Sequence, residues 1–108
     1  MINPQFTQLA ADTLNKALEE AARRRNPTMD EAHLLWALKT AEGVAREVLA
    51  EITDEVIEEK LNRLPILDGV SQQVPVSAQI QKILQTAIEE SRNRGDSFVP
   101  QEMLLWGL

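Results

Sequence analysis

One histidine is present in the chain, so any acid–base or nucleophilic chemistry would have to pass through it. His33 stands in Glu31-Ala32-His33-Leu34-Leu35, and Ser71, Ser77, Ser91 and Ser97 would all have to share its imidazole to form a triad. Its neighbours read as a packed helix, which makes His33 a structural residue rather than a base. Glu31 beside it falls short of a metal set, because further ligands and motif spacing are missing. The pairs Glu19-Glu20, Glu58-Glu59 and Glu89-Glu90 resemble acid pairs, but each reads as the solvated face of a helix. Arg23-Arg24-Arg25 could face phosphate, yet its place at a helix end reads as compensation of the helix dipole. None of Gly43, Gly69, Gly95 and Gly107 opens a GxxxxGK[ST] phosphate loop. No catalytic residue, metal ligand or cofactor is expected in this domain.

Composition narrows the classes further. The 108 residues are 44% apolar and 26% charged, ordinary usage for one small domain or part of one. Seventeen acidic against eleven basic residues give a net charge of −6, which argues against nucleic acid as a partner. The absence of Cys removes disulfides and thiolate chemistry. No apolar run approaches the roughly 20 residues of a membrane span, and Met1-Ile2-Asn3-Pro4-Gln5 opens no secretory signal. A soluble cytoplasmic domain is expected.

The elements that position these residues are helical throughout, with no convincing strand alternation. Thr7 caps a first helix with Ala10, Leu14, Ala17, Leu18 and Ala21 on one stripe; it ends at Asn26-Pro27. Asp30 caps a second, which runs to Ala41 and is anchored by Leu34, Leu35 and Leu38. A third, Val44 to Ile52, carries Val44, Val48, Leu49 and Ile52 on one face. Thr53-Asp54 caps a fourth, with Val56, Ile57, Leu61 and Leu64, which Pro65 stops. Residues 65–75 read as a linker. Ser77 caps a fifth helix with Ile80, Ile83, Leu84, Ala87 and Ile88, ending at Gly95-Asp96. A last helix starts near Pro100 and carries Met103, Leu104, Leu105 and Leu108.

An internal repeat organises these helices. An offset of 70 lays Leu34-Leu35-Trp36-Ala37-Leu38 on Leu104-Leu105-Trp106-Gly107-Leu108. The same offset brings Thr7 to Ser77, Leu14 to Leu84, Ala17 to Ala87, Glu19-Glu20 to Glu89-Glu90, Arg24 to Arg94 and Met29 to Val99. Helical periodicity alone would not match Glu-Glu and Trp together. The expected architecture is an all-α multi-helix bundle of two pseudo-symmetric repeats, 6–64 and 76–108. The second stops inside its second helix, so the chain reads as a fragment of a longer protein. Leu104, Leu105 and Leu108 are expected to leave an apolar face that a second copy covers through weak self-association.

With the repeat in place, the residues resemble the N-terminal double-repeat domain of the Clp family of AAA+ chaperones, most closely the ClpB disaggregase type. The carriers are Phe6-Thr7, Ala32-His33-Leu34-Leu35-Trp36-Ala37-Leu38, the Leu64-Pro65-Ile66-Leu67-Asp68-Gly69 linker, and Arg94-Gly95-Asp96-Ser97-Phe98-Val99-Pro100-Gln101-Glu102 with Leu104-Leu105. Ala32 departs from the Glu often found there, and Trp36 and Trp106 replace the usual aliphatic residue. The resemblance implies a non-catalytic domain tethered to ATPase modules of a homohexamer, with ATP bound only in those modules. It implies capture of unfolded or aggregated polypeptide in a groove between the copies, with an apolar floor and polar rim. Docking of a dedicated adaptor, as in Clp proteases or type VI secretion, and a structural cap on the hexamer are the other roles it allows. By position, Thr7, Asp96 and Glu102 match its functional rim, beside purely structural roles as N-cap, turn former and first-turn acid. Trp36 and Trp106 either line the groove or pack in the core, because Trp36 cannot face the same neighbour as Leu34, Leu35 and Leu38.

Overall fold

The computed structural model describes residues 6–41, 43–67, 74–96 and 98–106, with the side chains of Val44 and Trp106 excepted. Asp68, Gly69, Ser71, Ser97, Gly107 and Leu108, named above, lie outside the described residues. The helices are α1 (Gln8–Arg23), α2 (Glu31–Thr40), α3 (Val44–Val48), α4 (Asp54–Asn62), α5 (Ala78–Asn93) and α6 (Gln101–Trp106). Three starts are fixed by the hydroxyls that the sequence marks. Thr7 Oγ1 accepts from the Ala10 N–H at 3.2 Å, Thr53 Oγ1 from Val56 at 3.3 Å and Ser77 Oγ from Ile80 at 3.2 Å. Such a cap satisfies an N–H with no partner in the helix and is worth about 1 kcal/mol.

The two long helices also end alike. Arg24 N–H donates to Glu20 O at 3.0 Å and Asn26 N–H to Ala21 O at 3.0 Å. Seventy residues on, Arg94 N–H donates to Glu90 O at 3.1 Å and Asp96 N–H to Ser91 O at 2.9 Å. Both turns need a left-handed residue: Gly95 has φ 79°, and its counterpart Arg25 has φ 59°. The repeat therefore extends to backbone conformation.

A pseudo-two-fold axis relates the copies. Phe6 forms a parallel bridge with Val99, and Met29 forms one with Val76. The offset turns each pair into the other, which is the signature of an isologous contact. Thr7 N–H donates to Val99 O at 2.9 Å, and Ser77 N–H to Met29 O at 3.0 Å. Each copy's entry into its long helix is thus tied to the other copy's turn. Beneath these bridges lies one core, in which Ala10, Ala17 and Ala21 of α1 pack with Leu34, Ala37 and Leu38 of α2, Ile80, Ile83 and Ala87 of α5, and Leu104 of α6. Small residues on α1 bring α2 close, and complete burial of Leu34, Leu38 or Leu104 contributes about 1.5–3 kcal/mol each.

Three expectations change. Helix α3 stops at Val48 and a turn runs on to Ile52, so Ala45 and Leu49 face the core while Val48 is 63% exposed. Val56 likewise faces outward, leaving Ile57 and Leu61 to anchor α4. Leu104 is fully buried within its own chain and Leu105 half-buried, so the apolar face expected to drive self-association is not presented at Leu104.

Candidate functional site

Self-equivalent pairs mark the axis, because a residue that meets its own counterpart must lie beside it. Leu14 and Leu84 are such a pair, and both line a cleft of about 290 Å³. Phe6, Leu18, Met29 and Val76 complete its apolar walls, with Ala11 and Asn15 at its edge. Among the described residues, none lining it is ionisable. On α1 the inner stripe is Ala10, Ala17 and Ala21, so the bulkier Leu14 and Leu18 are displaced toward this cleft and left half-buried. Exposed Phe98 precedes Val99, the bridge partner of Phe6, in sequence.

A second self-equivalent pair, Leu35 and Leu105, lines a cleft of about 370 Å³ with Val48, Leu49, Ile52 and the ionisable Glu31 and Lys60. Val48, Leu49 and Ile52 come from α3 and the turn after it, and Lys60 from α4.

The structure ties Thr7 to the turn that carries Asp96 and Glu102 through one bond, Thr7 N–H to Val99 O, with Asp96 and Glu102 three residues to either side of Val99 in sequence. Thr7 Oγ1 is used as the helix cap. Asp96 and Glu102 are exposed, Asp96 in the turn that closes α5 and Glu102 in the first turn of α6. The equivalent place in the other copy holds Ser77, Asn26 and Ala32, with no carboxylate. Trp36 is not part of this group. It is half-buried, packs on the core and lines a smaller cleft of about 170 Å³ with Lys39, Asp54, Ile57 and Glu58, and the Lys16 ammonium lies 5.3 Å from its ring centre. Trp106 belongs to α6, and its side chain lies outside the described residues.

From sequence alone, Thr7, Asp96 and Glu102 are expected as a rim, and no residue of this cleft is named as its floor. Leu14 and Leu84 are visible as repeat-matched stripe residues and Leu18 as a stripe residue, but the stripe alone does not say which of its members reach past the core.

The buried polar groups hold this scaffold together. His33 is fully buried, and both ring nitrogens are committed: Nδ1 accepts from the Asp30 N–H at 2.9 Å, and Nε2 donates to Asn26 Oδ1 at 2.7 Å. Asn26 Nδ2 in turn donates to Pro65 O at 2.9 Å, tying the α1–α2 turn to the end of α4. Burial pushes the His33 pKa down, opposed by nearby Asp30, so the neutral ring is held as a helix-start acceptor. Glu20 corrects the solvated-face reading: it is 5% exposed and accepts from Arg23 at 2.7 Å and Arg24 at 2.8 Å. The Arg23 bond above all holds its carboxyl below the ordinary range, against the opposing effect of burial. Arg24 also bonds Glu58 at 2.9 Å, so the basic triplet carries an α1–α4 tie beyond any dipole effect.

Known proteins place this arrangement. The family described as "Clp repeat (R) N-terminal domain" matches residues 5–108. The chain is 31% identical over 110 residues to "Chaperone protein ClpB 1" of Parasynechococcus marenigrum, covering 96% of this chain and 13% of that protein. It is 27% identical over 112 residues to the Bacillus subtilis "Negative regulator of genetic competence ClpC/MecB", covering 100% of this chain and 14% of that protein. The chain therefore spans a small part of the curated relatives it matches. Among solved structures, the Hsp104 N-terminal domain from Candida albicans superposes with a TM-score of 0.80 at 20% identity, covering 95% of this chain and 72% of that one. The N-terminal domain of the ClpV1 ATPase from E. coli gives 0.79 at 17% identity, covering 96% and 67%. With a family match across nearly its whole length and the same all-α fold, the chain belongs to the Clp repeat (R) N-terminal domain family of Clp chaperones and ATPases.

Proposed function

We propose that this domain captures exposed apolar segments of unfolded or aggregated polypeptide in the Leu14–Leu84 cleft, without chemistry of its own, for ATPase modules elsewhere in the full protein. The observation that carries this reading is the uncharged, apolar floor lying open between two copies tied to each other by backbone hydrogen bonds. Its 290 Å³ suits the side chains of a short segment. A folded partner would need a surface of about 20–30 residues a side. Weak, sequence-tolerant binding follows from an open cleft that offers area and no fixed hydrogen-bond pattern.

Titration of the isotope-labelled domain with a permanently unfolded protein, and separately with its folded form, tests this. Amide shifts at Leu14, Leu18, Val76 and Leu84 with the unfolded protein alone are expected, and Leu14→Ser should abolish them while the domain still melts cooperatively. Shifts centred on Thr7, Asp96 and Glu102 with the cleft silent would move the function to a dedicated adaptor docking on the acidic rim. Silence with both ligands would leave a structural cap.

A further inference from the structure

We infer that His33 is a proton-operated release for one of the ties between the copies: a proton taken up by its ring frees Ser77 N–H from Met29 O and leaves the Thr7–Val99 bond in place. The device lies in one peptide unit. The Met29 carbonyl accepts from Ser77 N–H of the other copy at 3.0 Å, and the Asp30 N–H of that same unit donates to His33 Nδ1 at 2.9 Å. A peptide unit is planar, so its carbonyl and its N–H turn together. The ring and the bond between the copies are therefore held by opposite edges of one rigid plate.

Protonation sets two donors against each other. The neutral ring accepts at Nδ1 because its one proton is committed at Nε2, which donates to Asn26 Oδ1 at 2.7 Å. A charged imidazole donates at both nitrogens and accepts at neither, so the Asp30 N–H then faces another N–H. The ring is poorly placed to yield. It is fully buried, its Nε2 bond tightens with the charge, and Asn26 is fixed in turn by Pro65 O and Ala21 O. The Met29–Asp30 plate turns instead, and its carbonyl leaves Ser77. The charges that act on the ring are Asp30 at the start of α2 and Glu20 of α1, which favour the proton, and Arg24 of α1, which opposes it and is itself bound to Glu58 of α4. Among the described residues, no group of α3, also packed on α2, joins them.

The other copy has no such device. Seventy residues on, His33 becomes Met103 and the plate becomes Val99–Pro100, which has no N–H to offer. Val99 O accepts from Thr7 N–H at 2.9 Å with no titratable ring behind it, so this tie is indifferent to the proton. Met29 and Val76 both line the Leu14–Leu84 cleft, so the release also unfastens one wall of it.

The test follows the isotope-labelled chain by NMR from above the free-ring value of 6.5 down to about 4.5. The amides of Asp30 and Ser77 should move with the same midpoint as the His33 ring, and that of Thr7 should not. Above the midpoint Thr7 and Ser77 are equally protected from hydrogen exchange; below it Ser77 should exchange at least about tenfold faster, after allowance for intrinsic rates. In His33→Gln the third residue of α2 can still accept from the Asp30 N–H but takes no proton, so the two amides should stay alike throughout. A ring that titrates while Ser77 is unmoved, loss of protection at Thr7 and Ser77 together, or a ring that stays neutral until the domain unfolds each overturns the inference. The same release persisting in His33→Gln overturns it too, because a carboxyl group would then be responsible. Should that variant not fold, the titration of the parent chain decides alone.

Discussion

Removing the Asn26 side chain should cost this domain a measurable share of its stability, and the size follows from two bonds. Asn26 Oδ1 accepts from His33 Nε2 at 2.7 Å, and Nδ2 donates to Pro65 O at 2.9 Å. In Asn26→Ala the Pro65 carbonyl, on an exposed residue, is rehydrated at little cost. The His33 Nε2–H is different, because the ring is fully buried and its other nitrogen already serves Asp30. A buried donor left unsatisfied costs about 1–3 kcal/mol, which sets the expected loss. Each kcal/mol lowers Tm by about 4–8 °C in a domain near this size. The backbone bond from Asn26 N–H to Ala21 O survives the change, so the turn itself is retained. Urea unfolding followed by Trp fluorescence gives the number, and Asp96→Ala at the equivalent exposed position supplies the comparison, expected within about 0.5 kcal/mol of the parent. A loss below about 0.5 kcal/mol for Asn26→Ala would refute the claim that this side chain holds His33 and the α4 end together.

The same imidazole makes stability depend on pH. Its folded pKa lies below the 6.5 of a free ring, so the contribution is fully present above 6.5 and lost as pH falls from there toward the folded value; a denaturation series should show that slope, and His33→Gln should flatten it. For Glu20, whose folded pKa is below 4.5, the contribution is present above 4.5 and lost as pH falls through the folded value, a separate and more acidic step that Glu20→Gln should remove. At neutral pH Glu20→Gln should cost about 1–3 kcal/mol, while Glu90→Gln, at the half-exposed equivalent pair with Arg94, should cost under about 1 kcal/mol by the same assay. Arg25→Gly relieves a left-handed side-chain residue and should raise stability by up to about 1 kcal/mol in calorimetry, whereas Gly95→Ala, with open space around its Cβ but φ 79°, should lower it by about 1 kcal/mol.

Much of the fold was legible because its signals are local or repeated. Thr7, Thr53 and Ser77 name their own helix starts, and the 70-residue offset carries both the turns and the exchanged bridges. What stayed hidden depends on who packs against whom. Glu20 reads as surface until Arg23, Arg24 and the neighbouring α4 close over it. Val48 carries the right spacing for the core, but α3 ends there and the turn to Ile52 takes the core-facing role. Trp36 was legible as a residue out of line with Leu34 and Leu38, but its cleft is made by α4, far along the sequence. The cleft on the axis needs two copies at once, so no single stripe reveals it.

The exchanged bridges also bear on how the molecule can come apart. In a solenoid each repeat leans only on its neighbour, and folding can start in one unit and spread. Here the start of one copy is completed by the turn of the other, so neither half possesses a finished edge by itself. Phe6 and Val99 come from opposite ends of the described chain, and their closure is a long-range step of the kind that slows folding. The two copies should therefore gain and lose structure as one cooperative unit, with hydrogen exchange at Thr7 and Ser77 reporting the same opening free energy. A force that pulls on either terminus would meet resistance from both repeats together.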